Sequence, residues 1–516
     1  MNMTNKEKQL YKRINELQLE GFVLDNLHND EQINYAFIGL GQGGGSVSVN
    51  FQKLGFYSSF FNTAKSDLSA VIETLKEYND DYPTETIEKS KYEISTPAYR
   101  VTPFGTLGGA KKDRYFGKEA VMGNLQLIKD RLITDKKIYK ADYVWVVAAL
   151  GGGTASGAVT DIVRFVSGFV RKNEKRFTYV APSESSPGKQ GYPTVGVIAL
   201  WPEATSSPKV QLNAAEALEE LTGLHDQGLL GNVLLIENQK LLDDAIENNI
   251  DDWQQHGNSR IVQYLTEATV LPSMSSKNSV DRAEMMELIT TPGFINITKN
   301  KVVDFKTEKI NDIAERMIDN SMFASLYERD EALKTVTMTL SSESHSTFTK
   351  TAFSQLTGSV SQLQDSVIVN HEGMYVLKES TDTNSQLLKQ QLETKYSVSN
   401  ITQEELTLYH LSVYKNAPRS IIERIHRSIE KRNKDREKLQ GIDKVTKGFN
   451  LDNNDIQMNS FDLGENMSFE DFATNSQNLE EGDHFDLDTF DSFATNTSKS
   501  NVFKADRFFK EKVSNE

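Results

Sequence analysis

The sequence predicts an α/β protein with a doubly wound parallel sheet, a long central helix, a second α+β domain, a long C-terminal helix and a disordered acidic tail. Three observations carry that prediction. Strand-length apolar runs alternate with helical stretches from about residue 33 to about residue 247, the pattern of a parallel sheet with helices on both faces. Two of those runs end in glycine clusters that open a helix, "GLGQGGG" (39–45) and "LGGGTASG" (150–157). Beyond "FINITKNKVVDF" the alternation gives way to strand-like runs such as "LKTVTMTLS" and "GMYVLKES".

Charges alternating with Leu and Ile at helical spacing predict a leading amphipathic helix over residues 1–30. The first sheet domain follows at 31–253. Its strands are predicted at 33–41, 56–62, 142–150, 193–200 and 232–238, with helices between them and a surface insertion at 173–192. The central helix is placed at 254–276. The second domain occupies 277–416 and opens on "SVDRAEMMELITTPGF". A charged amphipathic helix, 417–440, leads into a tail, 441–516, whose low hydrophobicity and high charge predict disorder.

Composition narrows the function classes. The chain has 516 residues, too many for one core, and no cysteine, which excludes disulfides, thiolate zinc sites and cysteine nucleophiles. Its eight histidines show no HExxH spacing, so no protein-bound metal is expected. No apolar run reaches membrane-spanning length, and the polar N-terminus is no secretory signal. A cytoplasmic protein without direct membrane binding is expected. The net charge of −16 argues against coating nucleic acid unaided. Most of it lies in 451–500, which carry twelve acids against one base, Lys499.

Glycines between a strand and a helix let backbone N–H groups converge on phosphate oxygens, with the helix dipole adding attraction. Two such turns at the carboxyl ends of strands in one sheet point to a phosphorylated ligand between them. Gly39, Gly41 and Gly44 satisfy G-x-G-x-x-G, but the acid that would hold a dinucleotide ribose is missing at 59–61. Neither "GKE" (117–119) nor "GKQ" (188–190) completes a Walker loop.

"GGGTASG" resembles the GGGTG[ST]G signature of the tubulin/FtsZ superfamily of filament-forming GTPases. The motif order along about 33–440 agrees, through "FNTAKSDL", "GTLGGA", "WPEA", "NAAEAL", "LIENQKL" and "HGNSRIVQYL". Within the superfamily the chain is most similar to its plasmid- and phage-borne branch, on the D-x-x-E of the loop followed by a "TPG" strand start. The resemblance implies GTP and GDP as ligands, with Mg²⁺ on the phosphates. It assigns the phosphates to Gly41, Gln42, Gly43, Gly44, Asn62, Gly108, Gly109, Gly151, Gly152, Gly153, Thr154, Ala155, Ser156 and Gly157. The ribose side falls to Glu203 and Asn213, and the base to Asn238 and Asn258, whose amides offer both donor and acceptor. Each asparagine alone also reads as a helix cap, and Trp253 reads as a base stack or an interfacial aromatic. Ala155 stands where the signature carries glycine, and "TSSPK" lacks the arginine of FtsZ-type ribose loops.

Asp281 and Glu284, three apart at a helix start, read by themselves as dipole-complementing acids. The resemblance makes loop 277–284 the synergy loop, which enters the next subunit's nucleotide pocket and positions the attacking water. The implied function is a GTPase that polymerises head-to-tail and treadmills to segregate plasmid or phage DNA. A phage spindle and a non-polymerising GTP-binding regulator are the alternatives. The tail repeats "FEDFATN" (469–475) and "FDSFATN" (490–496) read as docking motifs, and the resemblance implies a DNA-binding adaptor as their partner.

Overall fold

The computed structural model describes residues 5–76, 94–95, 99–105, 108–171, 175–179, 189–274, 276, 278–303, 305–343, 348–377, 394 and 405–448. In chain order the helices are α1 (Asn5–Glu16), α2 (Phe22–Asn26), α3 (Gly41–Lys53), α4 (Lys65–Lys76), α5 (Arg114–Gly123), α6 (Leu125–Thr134), α7 (Lys136–Lys140) and α8 (Thr154–Phe165). They continue as α9 (Pro208–Asp226), α10 (Asn238–Glu247), α11 (Trp253–Val270), α12 (Arg282–Thr290), α13 (Ile310–Asp319), α14 (Lys350–Leu363) and α15 (Arg419–Gly448). The strands are β1 (Tyr35–Leu40), β2 (Tyr57–Asn62), β3 (Ile94–Ser95), β4 (Tyr99–Pro103), β5 (Tyr143–Ala149), β6 (Lys175–Tyr179) and β7 (Lys189–Pro193). Then come β8 (Val195–Trp201), β9 (Asn232–Glu237), β10 (Gly293–Val302), β11 (Ala332–Ser342), β12 (Val369–Leu377) and β13 (Leu406–Tyr414).

Eleven strands form one sheet in the order β12-β11-β13-β10-β9-β8-β5-β1-β2-β4-β3. Strands β2, β1, β5, β8, β9 and β10 run parallel, as the sequence predicts. Strand β5 explains why its sequence is apolar throughout. Val144, Val146 and Ala148 enter one core with α8 and α9, while Tyr143, Trp145 and Val147 enter another with α3, α11 and α12. A strand covered on both faces needs no polar alternation. The strands of both halves share this sheet: β10 adds to β9 over Gly293–Ile295. The insertion forms a separate antiparallel pair, β6 with β7.

Several elements depart from the sequence reading. The leading helix is two, α1 and α2, with Gln18 at φ +54° between them. Just past that break Glu20 is buried against Lys299, at 3.0 Å, and Lys299 reaches Glu267 at 2.7 Å. Burial works against the Lys299 ammonium, but the two carboxylates beside it hold its pKa above the ordinary value. The central helix stops at Val270 and becomes a 3-10 turn, Leu271–Ser273, where Pro272 has no N–H to continue the ladder. The C-terminal helix runs eight residues past 440, to Gly448. The rest of the predicted tail, both FATN repeats included, lies outside the described residues.

Strand β13 is absent from the sequence reading. It pairs antiparallel with both β10 and β11, so its polar Thr407, His410 and Ser412 are as buried as its leucines. His410 has Thr337 Oγ1 3.0 Å from Nδ1 and Gln364 Oε1 3.0 Å from Nε2. Burial pushes its pKa down to about 3, and burial likewise pushes His225 down to about 4. An unfolded histidine titrates near about 6.5. Between these values the unfolded chain binds more protons, so the stability from both groups is complete above pH ~6.5 and is lost as pH falls toward the folded values. We expect the urea midpoint to fall from pH 7.5 to pH 5, and His410→Gln to reduce that fall. An unchanged pH slope in the variant would contradict the assignment.

Candidate functional site

A cleft of about 410 Å³ opens at the carboxyl ends of β1, β2, β5 and β8. The helix starts around it explain its chemistry. Helices α3, α8 and α10 follow their strands almost directly, and the N-caps Leu40, Gly153 and Glu237 give them no side-chain hydrogen bond. Elsewhere Asp113, Asp135, Asp252, Asp281 and Thr349 cap α5, α7, α11, α12 and α14 with a side-chain oxygen. Helices α2, α6, α9 and α13 also lack a side-chain cap, but the uncapped ends of α3, α8 and α10 are the ones whose first residues line the cleft, leaving backbone N–H groups and the positive ends of helix dipoles for an anion. Contrary to a loop reading of "GLGQGGG", α3 begins at Gly41 itself, at φ +65°, a value that favours glycine.

Of the anticipated residues, Gly41, Gln42, Gly43, Asn62, Gly109, Gly152, Gly153, Thr154 and Ala155 line the cleft, and Asn238 and Asn258 line it with Trp253 and Leu241. Thr154 Oγ1 lies 2.6 Å from Thr63 Oγ1, which ties the turn after β5 to that after β2. Asn62 Nδ2 donates to Asp67 Oδ2 at 3.0 Å, and Asn62 Oδ1 accepts from Ala64 N. The methyl of Ala155 is accommodated beside Gly41, where even an added Cβ would stand 3.5 Å from it.

Other anticipated residues are not part of the cleft lining. A Cβ on Gly44 would come within 2.1 Å of Val147 O, and one on Gly157 within 2.4 Å of Arg114 O; these glycines serve close packing of α3 on β5 and of α8 on α5. Gly151 backs onto Val210 and Pro202. Ser156 Oγ donates to the Gly152 carbonyl. Gly108 forms a backbone bridge with Ala64. Asn213 Nδ2 donates to the carbonyls of Lys112, Gly151 and Gly152 at 3.1, 3.2 and 3.3 Å, clipping two loops together. Glu203 Oε2 accepts from Ser206 Oγ at 2.8 Å.

Sequence reasoning missed Lys111 and Lys112. Both line the cleft, at φ +49° and +57°, and add cationic charge beside the glycine turns. Their signal was there to read, since "KK" directly follows "GTLGGA". Asp113, next along, caps α5; its bond from Phe116 N and then Lys209 hold it below the usual carboxylate range.

No family model matches the chain. The tubulin-like protein TubZ of Bacillus cereus, and that of Bacillus anthracis, are each 20% identical to it over 283 residues, 52% of this chain and 55% of theirs. The chain thus spans about half the length of the curated relatives it matches. Among solved structures, a GTPγS-form protofilament of Bacillus thuringiensis serovar israelensis TubZ superposes with TM-score 0.58 at 16% identity, over 82% of this chain and all of that one. The GTPγS-bound protofilament of CetZ2 from Haloferax volcanii gives TM-score 0.53 at 16% identity, over 78% of this chain and all of that one. The chain has the tubulin/FtsZ fold.

In this tubulin-like chain the acids stand far from the cleft. Trp253, Gln254 and Asn258 at the start of α11 line the cleft, and the loop to Asp281 begins beyond its other end. Eighteen residues of helix at about 1.5 Å each span roughly 27 Å. Strand β5 agrees. Its carboxyl end feeds the second glycine turn, while Arg282, beside Asp281, pairs with Asp142 just before its start. Asp281 and Glu284 form a capping box: Asp281 Oδ1 accepts from Glu284 N at 2.7 Å and Glu284 Oε2 from Asp281 N at 2.8 Å. No group of three or more His, Cys, Asp or Glu suited to a metal occurs among the described residues. No helix among them is long and apolar enough to cross a membrane.

Proposed function

We propose that this protein is a cytoplasmic GTPase that polymerises head-to-tail, each subunit completing its neighbour's active site. The separation of cleft and acids along α11 is the observation that carries the reading. A chain cannot bring Asp281 to its own cleft, whereas a second chain stacked on the same axis can, and an open head-to-tail contact repeats into a filament. GTP would place its phosphates on the first turns of α3 and α8, with the base toward Asn238, Asn258 and Trp253. The lysines 111 and 112 would offset phosphate charge. The polyphosphate would hold Mg²⁺ with few protein ligands; Asp67, a carboxylate of the cleft lining, would be the protein group to bind its waters, and the ion would neutralise charge on the phosphates. Phosphoryl transfer asks mainly for positioning and charge neutralisation. An acid that arrives only on assembly makes hydrolysis conditional on polymerisation, and older GDP subunits then leave, so the filament treadmills. The tail, with its FATN repeats, would carry plasmid or phage DNA through a DNA-binding adaptor.

The test is sedimentation with GTP and with GDP, alongside phosphate release as a function of protein concentration. We expect a GTP-dependent pellet and release that rises more steeply than linearly with concentration. The chain ended at Gly448 should keep the pellet. Release proportional to concentration, down to dilutions with no pellet, would refute the shared site.

A further inference from the structure

Two oxygens of the capping box are used within the box, leaving Asp281 Oδ2 and Glu284 Oε1. Glu284 Oε1 faces His371 Nδ1 at 3.1 Å, and His371 Nε2 lies 3.5 Å from Glu287 Oε2. Lys334 Nζ holds the other oxygen of Glu287 at 2.7 Å. Asp281 Oδ2 is the carboxylate oxygen of the pair with no partner among the described residues. His371 lies on β12, one of the two edge strands of the sheet. The same strand holds the loop before the acids. Met374 N donates to Asn278 O at 2.7 Å, Ser276 Oγ donates to Met374 O, and Val280 N donates to the buried Tyr375 Oη at 2.9 Å.

We propose that His371 is a positioning residue for hydrolysis: it fixes Glu284, which through the capping box fixes Asp281 with Oδ2 presented outward. On this assignment Asp281 is the acid that meets the water in the neighbouring cleft, and Glu284 acts through it. The edge strand β12 is the platform that keeps the acid turn in register, since backbone bonds and Tyr375 hold the loop on one side and His371 holds the helix start on the other. The inference rests on the shared-site reading above. Its geometry is what a preorganised acid needs, because small displacements of a reacting group cost large factors in rate.

The experiment measures phosphate release per sedimented subunit in the full chain with GTP. We expect His371→Ala to give the wild-type pellet with about tenfold slower release. His371→Asn, which returns an amide N–H near the Nδ1 position, should recover most of it. Unchanged release in His371→Ala overturns the inference, and so does His371→Asn no faster than His371→Ala. Should His371→Ala not sediment alone, it is mixed in equal amounts with wild type. Release near half that of wild type supports the proposal, while full release, or exclusion of the variant from the mixed pellet, overturns it. Asp281→Asn in the same assay separates the two levels. Release lost there but not in His371→Ala removes only the positioning role, whereas release retained in Asp281→Asn takes Asp281 out of the mechanism and the positioning role with it; the shared-site reading itself falls only to release proportional to concentration.

Discussion

Asp281→Asn is expected to leave fold and polymer intact while phosphate release per sedimented subunit falls by about 100-fold or more. The fold survives because asparagine is as good an N-cap as aspartate, so the bond accepted from Glu284 N persists. Alanine would confound the result, since losing the cap costs ~1 kcal/mol by itself. What asparagine removes is negative charge at the position proposed to orient the water, and single preorganised polar groups at reacting centres carry about 10²–10³ in rate. Long-lived polymers, with a pellet that persists after GTP would ordinarily be exhausted, are the accompanying sign. Release within a factor of about three of wild type would take Asp281 out of the mechanism.

Gly44→Ala and Gly45→Ala, neighbours in one helix turn, are expected to change stability in opposite directions. A Cβ on Gly44 would stand 2.1 Å from Val147 O and 2.9 Å from Val147 C, in the backbone of central strand β5. That contact cannot be relieved by a rotamer. Helix α3 must lift off the sheet, and overpacking of this kind costs ~3 kcal/mol or more. The uncapped start of α3 moves with it, so nucleotide retention should fall as well. A Cβ on Gly45 meets only Val71 Cγ2, at an ordinary 3.6 Å. Removing backbone freedom from a helical glycine without strain stabilises by ~0.5–1 kcal/mol. Urea unfolding of the two variants, with fluorescent nucleotide binding, decides the matter; equal midpoints would contradict the packing role given to Gly44.

Much of the cleft was legible in the sequence. The glycine clusters, the threonine at 154 and the asparagines at 238 and 258 lie at strand ends and helix starts, and such places are marked by local composition. Gly44, Gly157, Ser156 and Asn213 were equally visible as residues, but nothing in the sequence separated a residue that faces the cleft from one packed against a neighbouring strand, helix or loop. For the two glycines that distinction depends on Val147 and Arg114, each more than 40 residues away and so outside any local pattern. Lys111 and Lys112 escaped because a basic pair in a loop is ordinarily solvated; only the tertiary fold brings both into the cleft wall.

By itself the sequence determined strands β1, β2, β5, β8 and β9 and their alternation with helices, the two phosphate-type turns, and the placement of the acids beyond a long helix. Periodicity and glycine content are short-range properties that survive in one dimension. The tertiary structure alone decided that β13 enters between β10 and β11, that polar His410 and Ser412 are core residues bonded to Thr337 and Gln364, and that Asp281 is locked through Glu284 to an edge strand. Each of those rests on partners distant in the chain. Burial of polar groups is tolerated only when folding supplies those partners.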